Sequence, residues 1–564
     1  MEATNLSKIK REKMLKTLSE IKSKISDEET LNNLSLIENE LNNKKFGLIW
    51  EEHEETVDRD LTDKIPTFIE ETNKSIIIDE NKKYNFLIKG DNLHSLYLLE
   101  KTHKEKIDVI YIDPPYNTGN NDFTYSDEQL SKEDSFKHSK WLSFMNNRLK
   151  IAKKLLSSKG IIFISIDDNE YAELKMLCDE IFGEINFVST LHWKKKKQPS
   201  YLHGQVAGVM EYVLIYAKNR FNLDKLSLST PTDSNTRVDN ANNQLSERII
   251  KEGIRVKLDS NINIIPAGVY KNKTMSTEFL DDVHISNGRT TNSFRAKAHF
   301  RDSQERINLF CDNDVFFITK NYGFRRDKLQ EELEKKKAIT DLLLDWGDNQ
   351  DSDKELREIF NEKLFDYPKP VLLIKNLIKS TDYKDSVILD FFAGSGTTGQ
   401  AVLELNNEDN GNRQFILCTN NENNICDNIT YQRLKTVITG LRKDDSKYSD
   451  GLKGNLIYYD TSFIPKVNNE EDNLHNNLLN NIKNLIQLEN GIKIDNKTIK
   501  IFLDEDEFDL MTQDNTSLNE CNRLYISSDI LLTQQQEKIL ENNNIELFVI
   551  PEYYFKDEII EVTE

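Results

Sequence analysis

A chain of 564 residues is too long for one hydrophobic core, and 37 % apolar with 30 % charged residues is the balance of a globular protein of several domains. Apolar runs such as 161–166 fall far short of the roughly 20 residues that span a bilayer. The formal charge of −21 excludes a uniformly basic binder of nucleic acid.

The charge is uneven, however. Residues 191–328 carry 23 lysines and arginines against 15 acidic residues, a net +8, whereas residues 451–564 carry 9 against 22, a net −13. A basic segment releases counterions from phosphates, which is the usual origin of DNA affinity. A merely solvated basic surface is the alternative. Met1-Glu2-Ala3-Thr4-Asn5 lacks the charged-then-apolar pattern of a secretion signal. Five cysteines without a C-x-x-C pair argue against a disulfide framework and a structural zinc, and they fit a reducing cytoplasm.

In chain order, Ile9, Met14, Leu15, Leu18, Ile21 and Ile25 recur at helical spacing, and Leu31, Leu34, Ile37 and Leu41 repeat the pattern. Ser26 with Glu29 three residues on predicts a capping box between these two helices. From residue 84 short apolar runs alternate with helical stretches. The run 86–88 ends in Gly90-Asp91-Asn92, 107–112 ends in Asp113-Pro114-Pro115-Tyr116, and 161–166 ends in Asp167-Asp168. Helices are expected over 141–156 and 170–181, and strands over 187–193 and 212–217. This alternation predicts an α/β domain with a largely parallel sheet, whose ligands sit beyond the carboxyl ends of the strands.

Between about 220 and 366 the alternation fades into a stretch rich in Asn, Ser, Thr and Arg, which reads as an inserted domain. It resumes with a helix over 371–378, a strand over 387–389, another over 414–418 and a helix over 430–441. Beyond about 453 an acidic domain has its own strands over 498–503, 523–526 and 546–550. The expected division is a helical segment 1–80, two core halves 81–220 and 367–445, the insert 221–366, and a C-terminal domain 446–564.

Two motifs carry chemistry. Adenine N6 is a poor nucleophile because its lone pair is delocalised into the ring. Acceptors for both N6 protons push the nitrogen toward sp3 and free that pair. Asp113 would be one acceptor and the Pro114 carbonyl the other, its direction fixed by the locked φ of Pro114 and Pro115. Tyr116 would offer a flat face to a base outside the duplex stack. An ordinary strand-to-turn junction is the bland alternative. The second motif, Asp390-Phe391-Phe392-Ala393-Gly394-Ser395-Gly396-Thr397-Thr398, reads as strand, small residues and helix start. Gly394 and Gly396 let backbone approach a ligand, and Thr397 and Thr398 could cap the helix or offer hydroxyls to a carboxylate. A generic nucleotide-binding turn, or simply a tight strand–helix turn, is the alternative.

Lys194-Lys195-Lys196-Lys197 reads as a phosphate-gripping loop at the ligand-bearing sheet edge, with Arg295, Lys297 and Arg301 in the insert as weaker candidates. Against these stands the solvated charge run. The nine histidines show no metal-ligand spacing, so no metal is expected. Neither a G-x-x-x-x-G-K-[ST] loop nor a nuclease-like acidic cluster stands out, so DNA cleavage would need another chain.

In combination and order, Asp-Pro-Pro-Tyr, a basic insert and then Phe-x-Gly-x-Gly resemble the β-group of DNA amino-methyltransferases. Further stretches resemble the modification subunit of type III restriction–modification systems. These are Phe46-Gly47-Leu48-Ile49-Trp50-Glu51-Glu52-His53, Ile88-Lys89-Gly90-Asp91-Asn92-Leu93, Asn117-Thr118-Gly119 with Asp122-Phe123 and Tyr125, Glu211-Tyr212-Val213-Leu214-Ile215-Tyr216 and Tyr367-Pro368-Lys369-Pro370. The resemblance spans roughly 45–220 and 365–440. It implies a Rossmann-like core that uses S-adenosylmethionine, split by a target-recognition domain, and methylation of adenine N6 in duplex DNA. It implies that Asp113, Pro114, Pro115 and Tyr116 grip the adenine. Asp390, Phe392, Ala393, Gly394, Ser395, Gly396, Thr397 and Thr398 would surround the cofactor, with Lys369-Pro370 also touching it and Asp91 near its adenine. A homodimer and a restriction subunit with helicase and nuclease activity are the implied partners. The family often places an acid after the strand at 415–418 for the ribose; here Thr419-Asn420-Asn421-Glu422 follows, which leaves that contact open. A DNA-reading subunit with secondary catalysis, or an N4-cytosine enzyme, is the alternative.

Overall fold

The fold is taken from a computed structural model, which describes residues 6–42, 50–79, 82–125, 128–131, 136–199, 205–228, 235–271, 275–333, 336–365, 367–466, 471–513, 518, 520–551 and 554. Residues 46–49 of the first family-like stretch lie outside these. Among the described residues no helix is long and apolar enough to cross a membrane.

Ten strands form the principal sheet. They are β1 (Lys64–Glu70), β2 (Tyr84–Lys89), β3 (Ile107–Ile112), β4 (Leu156–Ile166), β5 (Phe187–Lys194), β6 (Met210–Ala217), β7 (Leu342–Leu343), β8 (Val387–Asp390), β9 (Gln414–Thr419) and β10 (Asn455–Pro465). Their spatial order is β1-β10-β2-β9-β8-β3-β4-β6-β5-β7. The central run from β10 to β4 is parallel, and antiparallel pairs β1–β10, β4–β6 and β6–β5 flank it. The central strands are apolar on both faces because helices cover both: Phe86, Leu87, Ile88, Val109, Ile110, Ile162, Phe163, Leu389 and Ile416 are fully buried.

β3 pairs with β8 on one side and β4 on the other. The chain runs outward from β3 toward β4 and from β8 toward β9, so the strand order reverses at the β3–β8 boundary. Loops leaving two such neighbours diverge and open a crevice at their carboxyl ends. Asp113 follows β3 directly, and Asp390 ends β8.

By its internal contacts the chain divides into two units, one of 1–223, 341–378 and 383–564, the other of 224–340 and 379–382. The insert thus ends near 340, not at 366. Residues 341–365 are read as insert in the sequence because Leu342–Leu343 is too short to show a strand period, yet it pairs with β5. The C-terminal region is likewise not separate from residue 446 onward, since β10 sits between β1 and β2 in the principal sheet. β1 also brings residues 64–70 of the expected helical segment into that sheet. Beyond β10, parallel strands Ile499–Phe502, Arg523–Ile526 and Glu546–Val549 form the expected small α/β layer, packed around Phe508, Leu524 and Leu540. The second N-terminal helix begins at Glu28 and is capped by Asp27, whose carboxylate accepts from Thr30 N at 2.9 Å, one residue later than the Ser26 box predicts.

The insert is a β structure of four- and seven-stranded sheets. Phe279, Phe294, Phe300, Phe316 and Phe324 interlock in its core. Many of its strands are two to four residues long, which is why no alternation is visible in the sequence.

The helix Thr397–Asp409 lies close on β9: a Cβ at Gly399 would meet Leu434 Cδ2 at 2.6 Å and Leu417 Cδ1 at 3.0 Å. Gly399→Val overpacks this contact and is expected to destabilise the principal unit by about 1–3 kcal/mol. A lowered urea midpoint followed by tryptophan fluorescence checks it.

Candidate active site

The glycine turn is built from below. Gly394 and Gly396 take left-handed backbone (φ +48° and +79°), which side chains with a Cβ adopt only with strain. Gly396 N donates to the Ala393 carbonyl and Ala393 N to the Cys418 carbonyl, so the turn folds over the end of β9. Buried Arg433 supports it, donating to Ser395 Oγ at 3.1 Å, Thr397 Oγ1 at 2.8 Å and Gln400 Oε1 at 2.8 Å. Burial lowers the Arg433 pKa to about 10. Thr398 Oγ1 donates to Asp390 Oδ2 at 2.5 Å, and Phe392 N to Asp390 Oδ1 at 3.0 Å. The Thr397 and Thr398 hydroxyls therefore brace the turn rather than cap the helix, and both are engaged within the protein.

Asp390 is buried, and burial pushes its carboxyl up to about 7. Among the described residues no ammonium or guanidinium pairs with it. A cleft of about 120 Å³ opens beside it, bordered by Tyr111, Asp113, Phe365, Phe392, Gly394 and Thr398. Ala393, Ser395, Thr397 and Lys369 also reach this cleft. An uncompensated carboxylate against a flat aromatic ring and a side-chain-free turn fits a cationic ligand such as a sulfonium nucleoside.

Asp113, the first residue of the Asp-Pro-Pro-Tyr segment, borders the same cleft. Asp113 keeps 25 % of its side-chain surface. Tyr116 OH donates to Asp113 Oδ1 at 2.9 Å, and Lys369 Nζ lies 2.9 Å from Asp113 Oδ2. Burial pushes the Asp113 carboxyl up, and the Lys369 cation pulls in the other direction. Trp141 Nε1 donates to the Pro115 carbonyl at 2.7 Å, fixing the prolines against the helix Lys137–Leu155. Among the described residues nothing donates to the Pro114 carbonyl. Asn117, in left-handed backbone and fully buried, anchors the next step by donating to Glu170 Oε1 at 2.5 Å.

Glu211, which sequence reasoning missed, completes the site together with Lys369. Glu211, at the start of β6, accepts from Tyr116 OH at 3.3 Å and from Lys195 Nζ at 2.9 Å. Its signal was a lone carboxylate heading the apolar run Tyr212–Ala217. Lys369 is placed on the Asp113 side, donating to Tyr116 OH at 2.8 Å and lying 3.5 Å from Glu211 Oε2. Pro370 is buried beneath, against Gly347. Asp91 caps the helix Asn92–His103 by accepting from Leu93 N at 2.7 Å. Its neighbour Asn92 donates to the Phe391 carbonyl at 2.8 Å, and Arg148 Nε donates to Asn92 Oδ1 at 2.5 Å. Arg148 is fully buried and forks onto Glu55 at 2.7 and 3.1 Å. This chain ties β2, the helix Lys137–Leu155 and the glycine turn together.

Of the lysine run, Lys194 ends β5, Lys195 is held by Glu211, and Lys197 pairs with Asp348 at 3.3 Å and Asp351 at 3.2 Å. Lys195, Lys196 and Lys197 line a cavity of about 590 Å³ with Lys363 and Tyr367. In the insert, Arg295 is tied to Asp281 at 2.9 Å, Lys297 faces Glu247 and Glu278 across the sheet, and Arg301 is exposed. Cations gather more densely elsewhere on that unit, where Arg237, Lys257, Lys320 and Arg325 border a second 590 Å³ cavity. The fold also brings ligand atoms of His138, Glu170 and Glu173 within 4.8 Å of one another, a grouping that sequence spacing could not reveal because His138 belongs to a different helix.

A family model described as DNA methylase matches residues 107–431. The Mod subunit of the type III restriction-modification enzyme StyLTI from Salmonella typhimurium is 35 % identical over 376 residues, covering 63 % of this chain and 55 % of that protein. The EcoPI Mod subunit of Escherichia phage P1 is 34 % identical, covering 61 % and 59 % respectively. The type II methyltransferase M.KpnI of Klebsiella pneumoniae is 33 % identical, covering 59 % and 79 %. The chain thus spans little more than half the length of these two Mod subunits.

Replacing Arg148 by Met leaves Glu55 buried without its partner and releases Asn92. The expected loss is about 3–5 kcal/mol of stability, read as a fall in the thermal midpoint. Glu55→Gln/Arg148→Met together should recover part of it, because no buried charge is left unpaired.

Proposed function

The chain belongs to the DNA methylase family, and from that premise we propose that it transfers a methyl group from S-adenosylmethionine to N6 of adenine in duplex DNA. In this reading it is the modification and specificity subunit of a type III restriction–modification system. One observation carries the reading: Asp113 and the glycine turn border a single cleft at the carboxyl ends of the neighbouring strands β3 and β8.

The donor, when bound, supplies an electrophilic methyl group on a sulfonium cation. Asp390 would balance its positive charge, Phe392 would lie against its flat part, and Gly394 and Gly396 would admit it close to the backbone. Ala393, Ser395, Thr397 and Thr398 shape that wall, with Pro370 beneath and Asp91 toward the adenine end. Asp113 and the Pro114 carbonyl accept from the two N6 protons of an extruded adenine. Each hydrogen bond shifts electron density onto the nitrogen and makes its lone pair available. Tyr116 borders the position of that base, and its hydroxyl orients the Asp113 carboxylate.

Lys194, Lys195, Lys196 and Lys197 would follow the DNA backbone near the cleft, while Arg295, Lys297 and Arg301 would contribute from the insert. A second copy and a restriction subunit carrying helicase and nuclease activity are the proposed partners, in the cytoplasm.

Mapping of modified bases by single-molecule sequencing, in cells with and without the gene, tests base and site together. The expected product is N6-methyladenine at one short motif. N4-methylcytosine would reassign the substrate. Asp113→Ala should lower methyl transfer at least about 100-fold while DNA binding survives. Loss of restriction with methylation intact would favour a site-reading role instead.

Asp390 gives a pH dependence. Its carboxyl sits near 7 in the free protein, and a bound cation favours the ionised form. Donor affinity should therefore weaken as pH falls below about 7, by up to about tenfold per pH unit. Asp390→Asn should bind more weakly and without that slope, as read by titration calorimetry.

A further inference from the structure

Lys369 lies in a cage of acceptors. Its ammonium is 2.9 Å from Asp113 Oδ2, 2.8 Å from Tyr116 OH and 3.5 Å from Glu211 Oε2. The rings of Tyr116 and Trp193 flank it at 4.9 and 5.8 Å. Only 9 % of its side chain is exposed. Asp113 consequently has Oδ1 engaged by the Tyr116 hydroxyl and Oδ2 by Lys369. Methyl transfer as read above needs one of these oxygens for the amino group of the base.

We propose that Lys369 is a displaceable place-holder: its ammonium occupies the position on Asp113 that the target amino group must take, and Glu211 is the second anchor toward which it withdraws. The proposal rests on the adenine-N6 reading of the cleft. An ammonium and an exocyclic amino group are both nitrogen donors of similar size, so one can replace the other at a carboxylate oxygen. Glu211 is suited to receive the cation because Lys195 engages its other oxygen, Oε1, and leaves Oε2 toward Lys369. In this arrangement Lys369 is a positioning residue. Its cation favours the ionised form of Asp113, and it keeps the acceptor oriented until the base arrives.

The groups facing Asp113 are Lys369, Tyr116, Glu211, Tyr111 and Asp390; those facing Glu211 are Lys369, Lys195, Tyr116, Asp113, Tyr111 and Asp167. Removing the cation from this set leaves Asp113 beside two other carboxylates and strengthens its hold on a proton. Removing Glu211 leaves Lys369 tied to Asp113. Removing both frees Asp113 of its competitor and of its nearest like charge.

The test uses the full-length chain with tritiated S-adenosylmethionine and genomic DNA from a host without methylation, under single-turnover conditions from pH 6 to 9.5. K369M should lose about tenfold or more at pH 7 and regain activity at alkaline pH, its acid limb moving up by about one unit or more. E211Q should lose about tenfold across the range with no upward move of that limb. The double variant K369M/E211Q should exceed both single variants at pH 7, a non-additivity that a purely structural role does not produce. Donor affinity, measured separately by calorimetry, should stay close to wild type in all three. A double variant no better than the better single would overturn the proposal, and a K369M profile of unchanged shape with weakened donor binding would overturn it and put Lys369 on the donor. An inactive wild-type protein would overturn the adenine-N6 reading itself, irrespective of Lys369.

Discussion

The parallel pairing of β3 with β8 is the constraint on which the site depends. Ile388 and Leu389 lie beside Val109 and Ile110, and both strands run the same way. Residues 113 and 390, which are 277 positions apart in the chain, therefore emerge at the same sheet edge. Only long crossovers can join parallel neighbours, and here the insert occupies part of that connection. An inserted unit of any size can be carried there without disturbing the edge at which Asp113 and Asp390 emerge.

Electrostatics then differentiate two sides of one cleft. On one side Asp390 is buried with no cation beside it among the described residues, its carboxyl pushed up to about 7; on the other, Asp113 and Glu211 share Lys369, with Lys195 behind. Low dielectric makes each of these contacts count for more than on the surface. In the reading proposed above, the Asp390 side takes the positively charged donor and the Lys369 side presents Asp113 to the base. The braces beneath are polar as well: Arg433 holds the glycine turn and Arg148 holds Asn92 and Glu55. Side chains in such networks resist displacement because each would leave a buried group unpaired.

Much of this was legible in the sequence. The runs at 86–88, 107–112, 161–166, 387–389 and 414–418 all became strands of the central sheet, because strands buried on both faces read as continuous apolar runs. The two motif loops could be placed at strand ends on the same grounds. What could not be read has a common cause. Strands of two to four residues, such as Leu342–Leu343 and much of the insert, are too short to show a period. β10 looked like the start of a separate domain because pairing partners distant in sequence leave no local signature. Lys369 was expected beside the donor from the family resemblance, and the fold adds a contact of its side chain with Asp113 that chain order does not reveal. Glu211 and Arg433 reveal nothing about their partners until the fold brings them together.

The central claim is that both motif loops serve one reaction cleft. An experimental structure of this chain with S-adenosylmethionine bound tests it most directly. The account predicts the sulfonium over the ends of β3 and β8, between Asp390 and Asp113, with the methyl group directed to the Asp113 side. A donor seated away from the glycine turn, or directed away from Asp113, would contradict it.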